Sequence, residues 1–263
     1  MNLDLLFDPL FRVPFFTGLL LAALLPLMGM YLRLRDEWLA ALAFAKMASA
    51  GALLAMVAGW PMIVGGLLAA VLAALAKGLM ARAGAGAYAL MMLLAWGAGV
   101  LLVANHPLAE QAGHALFDGQ LYFTGESHLA TAAVAVATIV PILAWLSRPL
   151  LLARFFPDFY RARGRSERPR LLLFDLLASL AVALATVSLG VMAAFALVFV
   201  PPMLACRFGR GWRAAMALSA VIGMLGYCVA FAVSLAWDQP FGPVCALLFV
   251  VLVLVPGVKF DRM

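Results

Sequence analysis

The sequence predicts an all-α protein that crosses a membrane with eight to nine helices. Its composition is 67% hydrophobic and 11% charged, which leaves too few polar side chains to cover a folded domain in water. Apolar stretches of about 20 residues, the length that a helix needs to cross the hydrocarbon core, recur along the whole chain. Lys and Arg are concentrated in alternate gaps between these stretches. We therefore expect one polytopic integral membrane domain over residues 1–263.

Nine apolar segments are visible, and an odd number of crossings places the two termini on opposite sides of the membrane. The segments are residues 14–32, 39–58, 61–80, 86–104, 129–147, 171–188, 191–206, 213–236 and 242–257. Residues 171–206 must hold two segments around Gly190, so we expect either two short crossings or a re-entrant hairpin there. Both alternatives return the chain to the same side and leave the remaining topology unchanged.

The distribution of positive charge predicts the orientation. Sixteen of the 18 Lys and Arg residues lie in five gaps: Arg33 and Arg35, Lys77 and Arg82, residues 148–170, residues 207–213, and the tail with Lys259 and Arg262. The gaps that alternate with them contain no Lys or Arg. Because basic loops stay in the cytoplasm, we expect the N-terminus outside and the C-terminus in the cytoplasm. The basic residues that give the net charge of +6 are accounted for by this orientation, so the charge does not indicate a nucleic-acid surface. We expect no nucleic-acid partner.

Catalytic and cofactor-binding motifs are not found in the sequence. There is no G-x-x-x-x-G-K-[ST] loop, no H-E-x-x-H, no Cys/His zinc pattern and no G-x-S-x-G turn. Cys206, Cys228 and Cys245 lie within or at the ends of apolar segments without metal-type spacing, so we predict that they are packing residues. We expect no ATP hydrolysis and no bound cofactor in this chain alone.

Charged residues inside the predicted helices are few. Lys46 and Asp175 are the clear cases, and Asp175 lies near a cytoplasmic edge where Arg170 could pair with it. Carriers driven by a proton or sodium gradient usually need clusters of intramembrane ionisable residues. The sequence therefore favours transport driven by a partner protein, with a gradient-driven secondary carrier as the alternative.

A short aromatic and basic stretch lies in the cytoplasmic loop at residues 149–170. Its residues are Phe156, Pro157, Asp158, Phe159, Tyr160, Arg161, Arg163 and Gly164. This composition is typical of a helix that lies along the membrane surface, and such a helix could dock into a groove on a partner protein. The alternative is an anchor whose aromatic rings lie among the lipid headgroups while its arginines contact anionic lipid.

The outer loop at residues 105–128 contains all three histidines of the chain. His106, Glu110, His114 and Asp118 recur every four residues, so a helix would align them on one face. Imidazole and carboxylate groups are suitable ligands for first-row divalent metals, and Pro107 suits the first turn of such a helix. The face is either a metal-receiving site or a polar docking surface.

Five features occur in a characteristic order over more than half of the chain. They are Leu116-Phe117-Asp118-Gly119 in the outer loop, the cytoplasmic segment at 156–164, the helix start Arg168-Pro169-Arg170, the stretch at 198–208 with Pro201 and Pro202, and the turn Asp238-Gln239-Pro240-Phe241-Gly242-Pro243. In this order they resemble the permease subunits of the zinc/manganese/iron class of ATP-binding-cassette (ABC) importers. The amino-terminal third fits in the layout of its segments and in Leu42-Ala43-x-Ala45.

This resemblance implies a type II importer-like permease in the bacterial inner membrane, with a periplasmic N-terminus. It implies a homodimer with the translocation path at its interface, two cytosolic ATPase subunits that bind ATP, and a periplasmic protein that delivers a metal or a metal chelate. The 156–164 segment would be the coupling helix that contacts the ATPase. Lipid would be the remaining partner, and metal would be cargo.

The second helix departs from the family pattern. Family members usually carry Gly-Asp-x-x-x-His-Ala there, and the alignment places Ala40 and Phe44 at the Asp and His positions. Neither residue can ligate a cation, and the nearby Lys46 would repel a bare divalent ion. We count Ala40, Phe44, Lys46, Pro201 and Pro202 as pathway candidates. An anionic metal chelate, or siderophore-linked iron, is therefore the alternative to bare zinc, manganese or iron as cargo.

Overall fold

The computed structural model describes residues 9–80, 84–119, 124–156, 160, 166–209 and 211–254. Within this part of the chain the fold is entirely helical. The helices are α1 (Pro9–Leu34), α2 (Trp38–Val57), α3 (Met62–Leu79), α4 (Ala85–Asn105), α5 (Pro107–Asp118), α6 (Glu126–Phe155), α7 (Arg168–Leu189), α8 (Val191–Phe208), α9 (Trp212–Trp237) and α10 (Phe241–Leu254).

Eight of the described helices are long and apolar enough to cross a membrane, judged by length and composition. They are α1 to α4 and α6 to α9, and each coincides with an apolar segment predicted from the sequence. The ninth segment forms α10, which is apolar but has only 14 described residues. The prediction of an all-α protein with eight to nine membrane helices is confirmed.

Two helices occupy the region around Gly190. The helix α7 has 22 residues and α8 has 18, and both are long enough to span a bilayer. Gly190 separates them with a φ of 90°, a left-handed conformation that glycine adopts without strain. A side chain at Gly190 would also collide with Gly119, at the end of α5. The lengths of α7 and α8 favour two crossings over a re-entrant hairpin. The close contact between Gly190 and Gly119 holds the end of α5 against the turn between α7 and α8.

The helix α7 lies at the centre of the bundle. Its most apolar window is 67% buried, whereas those of α4 and α6 are 28% and 22% buried. Large apolar side chains on the peripheral helices point outward, and examples are Leu72, Leu93 and Trp145. In a bilayer such side chains meet lipid, and helices satisfy their own backbone hydrogen bonds there.

The helices α2 and α3 approach each other through small residues. Gly51 and Gly65 face each other, and a methyl group added to either would overlap the carbonyl oxygen of the other. Ala48 and Ala52 are also fully buried on the inward faces of α2. Small residues permit this close helix packing in membranes, so the alanine-rich face of α2 is a helix contact.

Replacing Gly51 by valine should destabilise the protein by about 1–3 kcal/mol, because the added methyl groups force α2 and α3 apart. The measurement is thermal unfolding of the detergent-solubilised chain. Gly97→Val in α4 is the matched control, since no atom lies within 4 Å of the position that its Cβ would occupy. Equal melting temperatures for the two variants would contradict the α2–α3 contact.

Candidate functional site

A cluster of four charged side chains joins three parts of the fold near the predicted cytoplasmic side. Asp175 of α7 accepts hydrogen bonds from Arg35 at 2.8 Å and from Lys77 at 2.6 Å. Glu37, in the turn between α1 and α2, lies 2.7 Å from Arg35 and 2.9 Å from Lys77. We refer to Arg35, Glu37, Lys77 and Asp175 as the charge cluster.

The charge cluster is largely removed from solvent. Asp175 is 5% exposed and Lys77 is 7% exposed, and two cations balance two carboxylates. Each cation also makes a cation–π contact with an aromatic ring. The guanidinium of Arg35 lies 5.3 Å from the ring centre of Phe174, and Nζ of Lys77 lies 5.9 Å from the ring centre of Tyr88. Pairing of this kind is what makes buried charges tolerable, because an isolated one would be very costly.

The predicted pairing of Asp175 with Arg170 is wrong. The two residues are five positions apart on α7, which places them about 140° apart around the helix axis. Asp175 faces α3 and the α1–α2 turn, while the guanidinium of Arg170 lies 5.3 Å from the ring centre of Tyr160.

The predicted coupling segment lies mostly outside the described residues. Pro157, Asp158 and Phe159 are not described, and neither are residues 161–165, which include Arg161, Arg163 and Gly164. Phe156 directly follows α6 and is exposed. Tyr160 is buried, and its hydroxyl donates a hydrogen bond of 3.2 Å to the carbonyl oxygen of Pro149 in α6. Docking of this segment on a partner stays a prediction.

Residues 107–118 of the outer loop form a helix, the condition under which the four polar residues would align on one face. The helix α5 begins at Pro107, in the first turn as expected, and ends at Asp118. His106, Glu110 and His114 are exposed, and the side chain of Asp118 is outside the described part. Among the described residues, no group of three or more His, Cys, Asp or Glu is arranged to hold a metal ion. The metal-receiving interpretation therefore stays a prediction.

Four of the pathway candidates are packed against neighbouring helices. Ala40 and Phe44 are fully buried on α2, and Pro201 and Pro202 are buried on α8. Lys46 is two positions beyond Phe44, about 200° around the helix, and is only partly buried. Within a single chain, the positions aligned with the family's ligands thus point away from the face that carries Lys46.

An aromatic group on α8 was not anticipated from the sequence. The rings of Phe195 and Phe199 are stacked, with centres 5.6 Å apart and planes inclined by 6°. Trp38, at the start of α2, lies 5.2 Å from Phe199. Both phenylalanines are partly exposed, although α8 is otherwise largely buried. In the sequence, only their spacing of four residues pointed to a contact between them. Apolar helices contain many such pairs, so the spacing alone did not predict the stacking.

The described helices, eight of which are long and apolar enough to cross a membrane, indicate a polytopic membrane protein. The sequence model of the ABC 3 transport family matches residues 8–259, so the chain belongs to that family. The resemblance inferred from the motifs is confirmed at this level.

Two solved structures have the same fold. PsaBC from Streptococcus pneumoniae, in complex with Fab, matches with a TM-score of 0.82 and 17% identity over 98% of this chain and 96% of that one. An inward-facing metal-chelate type ABC transporter matches with a TM-score of 0.72 and 19% identity over 91% of this chain and 83% of that one. No curated protein matches the sequence significantly. The predicted permease fold is therefore confirmed.

Proposed function

We propose that this chain is the membrane-spanning permease of an ATP-driven metal importer in the bacterial inner membrane. It moves cargo from a periplasmic binding protein to the cytoplasm. The observation that carries the proposal is membership of the ABC 3 transport family over residues 8–259. The order of motifs from the outer loop to the Asp238–Pro243 turn supports the same class.

Energy for transport comes from partner subunits in this proposal. The sequence has no P-loop, so ATP binds to a pair of cytosolic ATPases that contact the 156–164 segment. Two copies of the chain form the path at their interface. The aromatic and basic composition of the segment supports this contact, since exposed aromatic and arginine side chains are common anchors of protein interfaces.

Co-purification with an ATPase tests this assignment. The affinity-tagged chain, co-expressed with the ABC ATPase of the same source, should retain that ATPase in a fixed ratio of subunits through size-exclusion chromatography in detergent. Uptake of metal by the chain alone, driven by an ion gradient in proteoliposomes, would instead identify a secondary carrier.

The cargo is a first-row divalent metal, with zinc, manganese and iron as the members of this class that the resemblance implies. A metal chelate with negative charge is the second candidate. It is favoured by Lys46, a partly buried cation on a membrane helix, and by Ala40 and Phe44, which supply no metal ligand. The fold shared with a metal-chelate type transporter is compatible with both candidates.

Lys46→Ala separates the two cargo classes. If the path accepts an anionic chelate, its uptake should fall strongly, because opposite charges about 4 Å apart attract by about 4 kcal/mol at an effective dielectric of 20. If the path carries a bare divalent ion, uptake should stay unchanged or rise. Lys46→Arg preserves the charge and is the control. Identical uptake by all three proteins with both cargo types would remove Lys46 from the pathway.

His106→Ala combined with His114→Ala should lower uptake at limiting metal without lowering expression, because these exposed imidazoles would first receive the ion. The effect should shrink as metal saturates the importer, which a titration of radioactive zinc or manganese measures. Asp118→Ala should weaken capture in the same way. Asn105→Ala, in the same loop, is the control, and unchanged uptake by the double variant would favour a docking surface.

A further inference from the structure

Tyr160, a described residue of the cytoplasmic loop, contacts the helices on both sides of that loop. Tyr160 donates a hydrogen bond to the Pro149 carbonyl of α6, and its ring contacts the guanidinium of Arg170 in α7. Tyr160 is 7% exposed, and Arg170 is partly buried. A displacement of the loop near Tyr160 would therefore act on the first turns of α7.

The helix α7 connects this junction to the charge cluster. Arg170 and Asp175 are separated by about 7.5 Å along the helix axis. Between them the hydrogen-bonded backbone is continuous, and Phe174 is fully buried beneath Arg35. The segment is rigid on this length scale, so the two side chains move together.

The charge cluster in turn fastens α7 to the α1–α2 turn and to α3. Asp175 binds Arg35 and Lys77, and both cations also bind Glu37. Apolar side chains of similar size would stabilise such a site at least as well, because desolvation offsets much of the attraction between buried ions. What ion pairs supply in addition is a defined geometry with discrete partners.

We propose that Tyr160, Arg170 and the charge cluster form a relay that transmits movement of the cytoplasmic loop to α2 and α3. The inference rests on the proposed coupling of this chain to an ATPase. Arg170, Asp175 and Lys77 are positioning residues in this relay, since they touch neither nucleotide nor cargo. The close packing of Gly51 against Gly65 makes α2 and α3 move as one body.

Accessibility of the outer end of α2 tests the relay without reference to cargo. Trp60→Cys places a thiol at an exposed position between α2 and α3, in a chain whose Cys206, Cys228 and Cys245 are replaced by alanine. In the complex with its ATPase, trapping with ATP and vanadate should change the rate of labelling by an impermeant maleimide about fivefold or more. Arg170→Gln should abolish that change, while Arg168→Gln, an exposed arginine in the same first turn, should preserve it.

A second variant removes one positive and one negative charge from the cluster. Lys77→Met with Asp175→Asn leaves the Arg35–Glu37 pair intact and should also abolish the nucleotide-dependent change. If this variant does not assemble with the ATPase, Arg170→Gln, which alters no member of the cluster, decides alone. A full response in Arg170→Gln, or no response in the parent complex, would overturn the relay. A normal response without uptake of any metal would leave the relay standing and refute the proposed cargo.

Discussion

Asp175→Ala should destabilise the permease by about 3–5 kcal/mol, because it leaves buried cations without their shared carboxylate. Arg35 and Lys77 would then face only Glu37, whose side chain is 25% exposed. Equilibrium unfolding in mixed detergent and SDS micelles measures the loss.

A double-mutant comparison isolates the electrostatic cause of this loss. Lys77→Met together with Asp175→Asn removes one charge of each sign and preserves the Arg35–Glu37 contact at 2.7 Å. This pair should be clearly more stable than Asp175→Ala, since no buried charge is left without a partner. Equal destabilisation by the two would mean that loss of packing, and not an unpaired charge, explains the effect.

Reversing the charge of Arg161 and Arg163 to glutamate should reduce ATP-driven uptake to background. The two arginines belong to the proposed coupling segment. Reversing their charge would remove their contacts with the ATPase or place repelling charges at that interface, and would therefore prevent ATPase binding. Disruption of Phe159 should have the same result. Membrane insertion should remain intact, because the other gaps predicted to be cytoplasmic keep their Lys and Arg residues. Uptake and retention of the ATPase during purification are measured on the same membranes.

Arg154→Glu with Arg213→Glu is the matched control for this double reversal. Both arginines are exposed and lie at predicted cytoplasmic helix ends, so the net charge changes equally. Normal uptake is expected from the control. Normal ATPase retention by the Arg161 and Arg163 variant would refute the coupling role of the segment.

The membrane helices were predictable because a bilayer imposes a simple rule of length and hydropathy. Each of the nine apolar segments coincides with a helix over its described residues, and Pro107 lies in the first turn of α5 as its position suggested. Glycine at position 190 also marked the boundary between α7 and α8. These features depend on residues that are close in sequence.

Tertiary contacts between charged residues were not predictable in the same way. Lys77 was assigned to a cytoplasmic gap, yet it lies buried in the last turn of α3 and binds Asp175, 98 positions away. The sequence suggested Arg170 as the partner because it is near in number. Helix geometry turns it to another side, and only the arrangement of three helices brings Arg35, Lys77 and Asp175 together.

The direction in which each side chain of α2 points was also not predictable from the sequence. Alignment to the family pattern identified Ala40 and Phe44, but the pattern does not say which helix each one faces. Both are fully buried, whereas Lys46 on a different side of the helix is partly exposed. In the proposed homodimer, the contact between the two copies of the chain would decide which face borders the path.

Reconstituted transport tests whether this chain is the permease of an ATP-driven metal importer. The permease and its ATPase are purified as a complex and placed in proteoliposomes. The periplasmic binding protein and radioactive zinc, manganese or iron are supplied together on the periplasmic side of the complex. We expect metal accumulation that requires ATP hydrolysis, the binding protein and both subunits together. Accumulation by the permease alone under an ion gradient, with no effect of ATP, would contradict it.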